Sequence, residues 1–448
     1  MKAIFLCGGI GKRMFPITED KFLINFLGKT LLQHQMEAAK QAGINQFLII
    51  GNPANVRQIE QITKTVSGAK IELALQKQPL GIADALEGAA SFMDGAILIV
   101  NPNDIFAASV YTSLIKETKR KSAASYMLGY QTKGYFPGGY LVINSQNELK
   151  HIVEKPKPGQ EPSNLVNILV HLHTDPGKLL EYIKKVKTNK DDVYECALDN
   201  MVKDGNKIKV ISYADFWAPI KYPWHVFDAV KYLLDISKPR ISTSAHISGK
   251  ATIEGKVFIS DNVRVMENAV IRGPAYIGPD SIIGNNVLVR DYSHIGADCV
   301  IGYSTEVKCS YIDDGCWIHS SYIGDSIIGK GCSLGAGTVL ANFRFDEQNV
   351  SVTSGNESID TGRDKFGAII GDNSKTGINA SVMPGIKIGP NSIVGSHACL
   401  TKDLGPEKMI LLEPHYRTQP NPVKLDEAKR KELKEKLERL GVTKPEND

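Results

Sequence analysis

Chemistry has two natural places in this 448-residue sequence. In the first, an apolar segment at residues 3–6 runs into Gly8-Gly9-Ile10-Gly11-Lys12-Arg13. A glycine-rich turn after a strand lets backbone N–H groups approach a phosphate closely, because no side chain stands in the way. Taken alone, the same pattern also describes an ordinary turn. The second place is His319, which follows Ile318 inside an aliphatic array. An imidazole can take a proton from an amine as the nitrogen attacks an acyl group. An isolated histidine there would by default be a surface residue without a role. Tyr322 and, further on, Asn342-Phe343 supply it with polar company. Glu154-Lys155, read by itself, is a solvated charge pair at a strand end.

The elements that must carry these residues differ in kind. Every sixth residue from Ile247 is β-branched: Ile253, Ile259, Val265, Ile271, Ile277, Ile283, Val289, Ile295, Ile301 and Val307. Glycine follows many of them, as in Ile277-Gly278 and Ile295-Gly296. A period of six fits neither a helix nor an alternating strand. It predicts the hexapeptide β-helix, in which each short strand points one aliphatic residue into a shared interior. The register slips at Ile312, Ile318, Ile323 and Ile328, then resumes at Leu334 and Leu340. It is interrupted over residues 343–366 and returns from Ile370 to Leu400. His319 sits beside the slip. The first 230 residues read differently: aliphatic runs at 3–6, 47–50, 71–75 and 96–100 alternate with helical spacing such as 31–42. That alternation predicts a parallel sheet covered on both faces.

Composition narrows the function classes. Hydrophobic content of 42% and charge of 23% describe a soluble globular chain, and a net charge of +4 gives no electrostatic case for nucleic acid. The N-terminus runs straight into glycines, too soon for a signal peptide, and no apolar run is long enough to cross a membrane. The seven cysteines are scattered, with no Cys-x-x-Cys pair; the four among the first repeats suit a tight coil as small apolar side chains. The chain reads as cytoplasmic.

The stretch Gly8-Gly9-x-Gly11-x-Arg13-Met14-x-Pro16, followed by Lys21-Phe22-Leu23 and Gly28-Lys29, resembles the signature of the sugar-1-phosphate nucleotidyltransferases. Further matches follow in order: Leu80-Gly81-Ile82-Ala83, Asn103-Asp104, Gly138-Gly139, Val153-Glu154-Lys155-Pro156 and Asn167. The resemblance implies that a sugar-1-phosphate oxygen attacks the α-phosphorus of a nucleoside triphosphate and expels pyrophosphate. Gathering that much negative charge calls for amides, cations and Mg²⁺. By resemblance, Gly8, Gly9, Gly11 and Arg13 hold the triphosphate, Lys21 neutralises charge in the transition state, and Asp104 holds Mg²⁺. Gly139, Glu154 and Asn167 meet the sugar, with Lys155 close to its phosphate. Gln78 and Gly81 face the nucleotide, and UTP or dTTP is the favoured donor.

The pattern also has departures. Lys12 replaces Thr or Ser, Asp20 stands where Pro precedes the lysine, and Ile82 replaces a Thr. Pro79 stands where a base-reading Gln often precedes Leu-Gly, leaving Gln78 one place early. A second metal-binding aspartate is expected where Pro219 stands, with Asp215 close enough in sequence to substitute.

The second half extends the resemblance to the bifunctional enzymes that join such a domain to a hexapeptide acyltransferase. His319-x-x-Tyr322-x-Gly324-Asp325, then Leu334-Gly335-Ala336-Gly337-Thr338 and Asn342-Phe343, is similar to the amino-sugar-1-phosphate acetyltransferases. It implies His319 as general base, Tyr322 as a substrate ligand, Asn342 beside the amine, and the Phe343 amide facing the oxyanion, with acetyl-CoA as co-substrate. Ser333, Gln348 and Val289 depart from that pattern; Arg290 is adjacent to the last, and the polar insertion 346–364 offers further cations. The cofactor cleft of such acyltransferases lies between neighbouring β-helices, which implies a homotrimer. The expected organisation is an α/β Rossmann-like nucleotidyltransferase domain at 1–230, a linker at 231–246, an all-β left-handed parallel β-helix at 247–405, and a tail at 406–448. Leu425, Ala428, Leu433, Leu437 and Leu440 give the tail a charged amphipathic helix, suited to capping the open end of the solenoid. Two other readings compete with the bifunctional one. In one the β-helix is only a trimerisation scaffold, against which the His319–Phe343 spacing argues. In the other the protein is a non-catalytic sensor of a sugar nucleotide, for which Pro219 argues.

Overall fold

The computed structural model describes residues 1–9, 11–120, 122–188 and 192–439. Leu440 of the tail pattern and the side chain of Lys12 lie outside them. The chain divides into a unit Met1–Leu411 and a second that begins at Leu412. In the second, the helix Glu427–Arg439 forms over the expected segment, and every described residue of it is exposed. Among the described residues, no helix is long and apolar enough to cross a membrane.

The first unit starts from four parallel strands. Lys2–Leu6 pairs with Gln46–Gly51 and with Ile97–Val100, and Gln46–Gly51 pairs with Lys70–Leu75. Alternate residues of Lys2–Leu6 enter different cores. Phe5 packs with Leu32 and Met36 of the helix Leu31–Gln41, while Ile4 packs with Leu86 of Gly81–Gly88 and Leu198 of Val193–Lys203. Thr30 and Gln33 close a capping box at the start of Leu31–Gln41, fixing where that helix begins. Beyond Val100 the pairing becomes mixed, with Ile208–Tyr213 parallel to Ser125–Gln131. Leu165–His173 runs antiparallel to Ile97–Val100, and Gly139–Ile143 pairs antiparallel with Leu149–Glu154. The four strands read from the sequence are parallel, as expected, while the sheet as a whole is mixed. The physical reason is connection length: the short turn between Ile143 and Leu149 allows a hairpin and not a crossover.

The second half coils into three sheets of parallel short strands. Each face stacks one aliphatic column in register. One column runs Ile247, Val265, Ile283, Ile301, Ile318, Leu334, Thr376, Val394 and Ile410. This is the left-handed hexapeptide architecture the period of six predicts. Ile301 pairs with Ile318 and Val307 with Ile323, so the slip shortens these coils at their corners while keeping every column aligned. Glycine after the aliphatic residue is a packing requirement. A Cβ on Gly278 would lie 2.4 Å from the backbone of Gly296 on the next coil. Cys299, Cys316 and Cys332 are buried and free, and each thiol donates to a carbonyl of the following coil at 3.2 Å. The insertion forms the antiparallel hairpin Ser351–Ser354 and Glu357–Asp360.

The two halves share one buried core. Met14, Ile17, Phe26, Trp224 and Phe227 pack with Tyr276, Tyr311, Val350, Val352 and Phe366. At its centre His294 stacks between Tyr276 and Tyr311, with ring centroids 4.9 and 4.7 Å away. Leu27 N–H donates to its Nε2 at 3.1 Å, and Tyr311 Oη donates to the carbonyl of Asn25 at 2.9 Å. Burial pushes the His294 pKa down to about 4, below the ordinary imidazole value. The unfolded chain therefore takes a proton there more readily than the folded one. The stabilisation is full above about pH 6.5 and is lost as pH falls toward 4, an effect of roughly 3 kcal/mol at most. We expect His294→Phe to flatten the dependence of Tm on pH in that window by one proton. An unaltered slope in calorimetric melts would show that His294 is not the titrating group.

Candidate functional site

The glycine turn is staked from below. Asn55 Nδ2 donates to the Cys7 carbonyl (2.9 Å) and to Asp20 Oδ2 (2.7 Å), and Asn52 Nδ2 reaches the Gly8 carbonyl at 3.3 Å. Asp20, a departure at sequence level, ties the short helix bearing Lys21 to the turn. Gly8 must lack a side chain because Gln76 occupies the space: a Cβ there would lie 2.1 Å from Gln76 Oε1. Gln76 Nε2 in turn donates to the Gly81 carbonyl (3.0 Å) and to Asp84 Oδ2 (2.8 Å). A cavity of about 430 Å³ opens here, lined by Gly8, Gly9, Gln76, Gly81, Asn101 and Asn103. Gln78 is exposed and lines the neighbouring cavity with Lys77 and Glu87. Gln76 is the glutamine that reaches the turn. Its position directly after the strand Lys70–Leu75 is the signal that could have singled it out.

Asp104 opens the strand Asp104–Phe106, which pairs with Trp217–Pro219 so that Pro219 lies opposite Asp104. Trp217 Nε1 donates to Asp104 Oδ2 at 3.0 Å, and Gln35 holds the Asp104 carbonyl at 2.8 Å. Burial raises the Asp104 pKa, while the Trp217 hydrogen bond, Lys221 and Lys21 oppose the rise. Lys21 crosses Gly11, its Cε 3.4 Å from where a Cβ would stand. Burial lowers the Lys21 pKa, Asp104 opposes this, and Arg13 adds to the lowering; Arg13 itself is exposed. Lys221, which the sequence reading left without a role, joins this cluster. It donates to the Pro137 carbonyl at 2.7 Å and lies 3.5 Å from the Phe136 ring centroid. Burial brings its pKa down to about 8, with Asp104 and Glu154 opposing and Arg13 and Lys21 reinforcing.

Asp215 does not replace the missing second carboxylate. Its oxygens accept from Ser109 Oγ (2.7 Å) and from Phe216 N–H (2.8 Å), where they close the loop before the strand. Among the described residues no group of three acidic, histidine or cysteine side chains gathers as a metal cage. The donor set nevertheless fits Mg²⁺, which is commonly held by one or two carboxylates with phosphate oxygens and water completing the shell. Asp104 Oδ1 is the oxygen that the Trp217 bond leaves over.

The residues expected to meet a sugar converge. Glu154 pairs across the hairpin with Gly139, where a Cβ would lie 3.0 Å from Glu154 Oε2 and 3.6 Å from the Cβ of Asn167. Lys155 forms an ion pair with Glu154 at 3.0 Å, and its side chain is half exposed.

In the β-helix, Tyr322 Oη and Asn342 Nδ2 meet over Gly324, 2.8 and 2.6 Å from where a Cβ would stand. Asn342 Nδ2 donates to Asp325 Oδ2, which also receives Lys308 Nζ at 2.7 Å. Lys308 lies in register between Arg290 and Gly324. The sequence reading passed Lys308 over, and only the stacking of coils shows it beside Arg290. His319 is exposed at the shortened corner, its N–H bonded to the Leu334 carbonyl at 3.0 Å. Phe343 is bridged to Lys365 across the insertion. Arg363 of the insertion pairs with Asp228 at 2.7 Å, Arg344 before it pairs with Asp346, and Lys365 just after it lies 5.9 Å from the Phe343 ring centroid.

Comparison with known proteins agrees with this division. Residues 2–220 match the nucleotidyl transferase family, and residues 256–291 and 367–402 match bacterial transferase hexapeptide repeats. A bifunctional sugar-1-phosphate nucleotidylyltransferase/acetyltransferase of Sulfurisphaera tokodaii is 34% identical over 411 residues, covering 90% of this chain and 98% of that protein. The bifunctional protein GlmU of Methanococcus maripaludis is 39% identical over 410 residues, 90% of this chain and 95% of its own. The protein of the same name from Methanocaldococcus jannaschii is 33% identical over 409 residues, 90% and 96% of the two chains. Both halves, in the same order and over nearly the full length of these relatives, place the chain in the family of bifunctional sugar-1-phosphate nucleotidyltransferase/acetyltransferase enzymes of nucleotide-sugar biosynthesis.

Proposed function

We propose that the β-helix acetylates a hexosamine-1-phosphate from acetyl-CoA and that the N-terminal domain joins the product to a nucleotide, with UTP or dTTP as donor. The observation that carries the nucleotidyl-transfer part of this reading is the gathering of Lys21, Lys221 and Arg13 near Asp104 beside the glycine turn. The amides of Gly8, Gly9 and Gly11, with Arg13, hold the triphosphate, and Gln76 with Gly81 faces the base. Gly139, Glu154 and Asn167 orient the sugar, with Lys155 near its phosphate, so that the phosphate oxygen bonds to the α-phosphorus as the bond to pyrophosphate breaks. Lys21 and Lys221 neutralise charge that grows on the equatorial oxygens. Mg²⁺, held by Asp104 with phosphate oxygens, would supply further charge stabilisation.

In the second site the sugar amine attacks the thioester carbonyl, and free thiol departs. His319 takes the amine proton, Tyr322 and Asn342 position the sugar, and the Phe343 N–H faces the developing oxyanion. Arg290 and Lys308 bind the sugar phosphate. We expect Lys308→Ala to raise the KM for hexosamine-1-phosphate roughly tenfold to a hundredfold, the worth of one charged hydrogen bond. Pyrophosphate release should be untouched; an unchanged KM would remove Lys308 from the site.

The proposed functional division follows residues 1–230, 231–246, 247–405 and 406–448, and the proposed location is the cytoplasm. A homotrimer is proposed from the exposed Tyr303, Trp317 and Ile378 along the array, since closed threefold packing buries one side of each prism. Sedimentation should give three chains, and a monomer that still transfers acetyl groups would contradict the arrangement. The deciding assay for the whole reading incubates the protein with acetyl-CoA, hexosamine-1-phosphates, Mg²⁺ and each nucleoside triphosphate. Thiol and pyrophosphate are measured separately. Pyrophosphate without thiol leaves the β-helix a scaffold, and neither product leaves a sensor.

A further inference from the structure

We propose that a buried hydrogen-bond chain from Ser125 to Asn167 fixes the Asn167 amide so that its N–H donor faces the sugar and pairs there with an oxygen acceptor. The inference rests on the placement of Asn167 in the sugar subsite proposed above.

Asn167, His171 and His173 lie on the strand Leu165–His173, Ser125 opens the neighbouring strand Ser125–Gln131, and Tyr194 lies in the first turn of Val193–Lys203. Four contacts link them in series. Ser125 Oγ meets His173 Nδ1 at 2.8 Å, and His173 Nε2 meets Tyr194 Oη at 2.9 Å. Tyr194 Oη meets His171 Nδ1 at 2.7 Å, and His171 Nε2 meets Asn167 Oδ1 at 2.8 Å. Ser125, His171 and His173 are fully buried and Tyr194 is 1% exposed. Burial holds both imidazoles neutral, with pKa values far below the ordinary one.

A neutral imidazole has one donor and one acceptor, and a hydroxyl has one hydrogen, so the chain can run unbroken in only two directions; an arrangement in which Tyr194 accepts from both imidazoles leaves its buried hydrogen without a partner. In one, Ser125 donates to His173 Nδ1, His173 Nε2–H to Tyr194, Tyr194 to His171 Nδ1, and His171 Nε2–H to Asn167 Oδ1. Every hydrogen is then used. In the other, His173 donates to Ser125, and the Ser125 hydrogen needs a further acceptor. Ser125 Oγ has none other among its described bonds. A buried donor without a partner costs more than an unused lone pair, so the first direction prevails. It ends at the Asn167 carbonyl, and leaves Nδ2 with two hydrogens for the subsite shared with Gly139 and Glu154. An N–H donor pairs with a hydroxyl or acyl oxygen. His171, Tyr194 and His173 are positioning residues, acting only through Asn167.

Nuclear magnetic resonance of the full chain with isotope-labelled histidine reads the direction without any turnover. Both buried rings are expected as Nε2–H tautomers with Nδ1 accepting; an Nδ1–H tautomer at either ring overturns the inference. Kinetics supply the second readout. Asn167→Asp keeps the bond to His171 but loses the donor, so it should raise the KM for sugar-1-phosphate as much as Asn167→Ala does, roughly tenfold, with the KM for the nucleotide unchanged. Asp retaining the wild-type KM while Ala loses it overturns the donor role. If neither variant moves that KM, Asn167 does not meet the sugar, and the subsite assignment fails even where the tautomers are as expected. Comparing 2-amino with 2-acetamido substrates identifies the acceptor: an effect confined to the acylated sugar marks its carbonyl, and an equal effect on both marks a hydroxyl.

Discussion

Asp104→Asn should lower pyrophosphate release by about a thousandfold or more while thiol release continues at the wild-type rate. Asn keeps a carbonyl oxygen for the Trp217 indole, now 3.0 Å from Oδ2, and the backbone bond from Gln35 is independent of the side chain. The fold therefore has no reason to change. What disappears is the charge proposed to hold Mg²⁺, which also offsets Lys21 and Lys221. Pro219 opposite and Asp215 turned toward Ser109 leave no second carboxylate to take over. Several kcal/mol of lost transition-state stabilisation, at a tenfold rate change per about 1.4 kcal/mol, gives the size of the effect. A titration of wild type and variant with Mg²⁺ adds the cause: the variant should not recover at high metal. Full turnover by Asp104→Asn would remove this residue from metal binding.

His319→Ala should cut thiol release by about a hundred- to ten-thousand-fold, the usual contribution of a general base. The side chain is exposed at a corner of the coil and fills no core position, while the backbone bond to Leu334 does not need it. Melting temperature and oligomeric state should thus stay those of the wild type, and pyrophosphate release should too. If acetyl transfer survives at full rate, the β-helix acts as a scaffold and the site at Tyr322, Asn342 and Asp325 has another purpose.

The period of six determined the β-helix, because each coil can close only if one residue in six points inward, and that demand is written directly in residue type. The glycines at the first turn, Asp104 and the Glu154–Asn167 series were singled out only because their motifs resemble a known family; read alone, the glycines fit an ordinary turn and Glu154-Lys155 a solvated charge pair. The antiparallel hairpin of Gly139–Ile143 and Leu149–Glu154 was not legible, since alternating apolar residues pair equally well either way and there the short connection decides. Nor was Gln76 in preference to Gln78, because which of two nearby glutamines reaches Gly8 depends on where the strand Lys70–Leu75 ends against its neighbour. Lys221, Lys308 and the chain from Ser125 to Asn167 lay further out of reach. Their partners are distant in sequence, and an amine or a ring acquires its role only from the charges and hydrogen bonds that folding brings within a few ångströms. Sequence thus determined the scaffolds, whose periodicity is local, while tertiary structure decided the electrostatics and the direction of the hydrogen bonds, which are properties of neighbours in space.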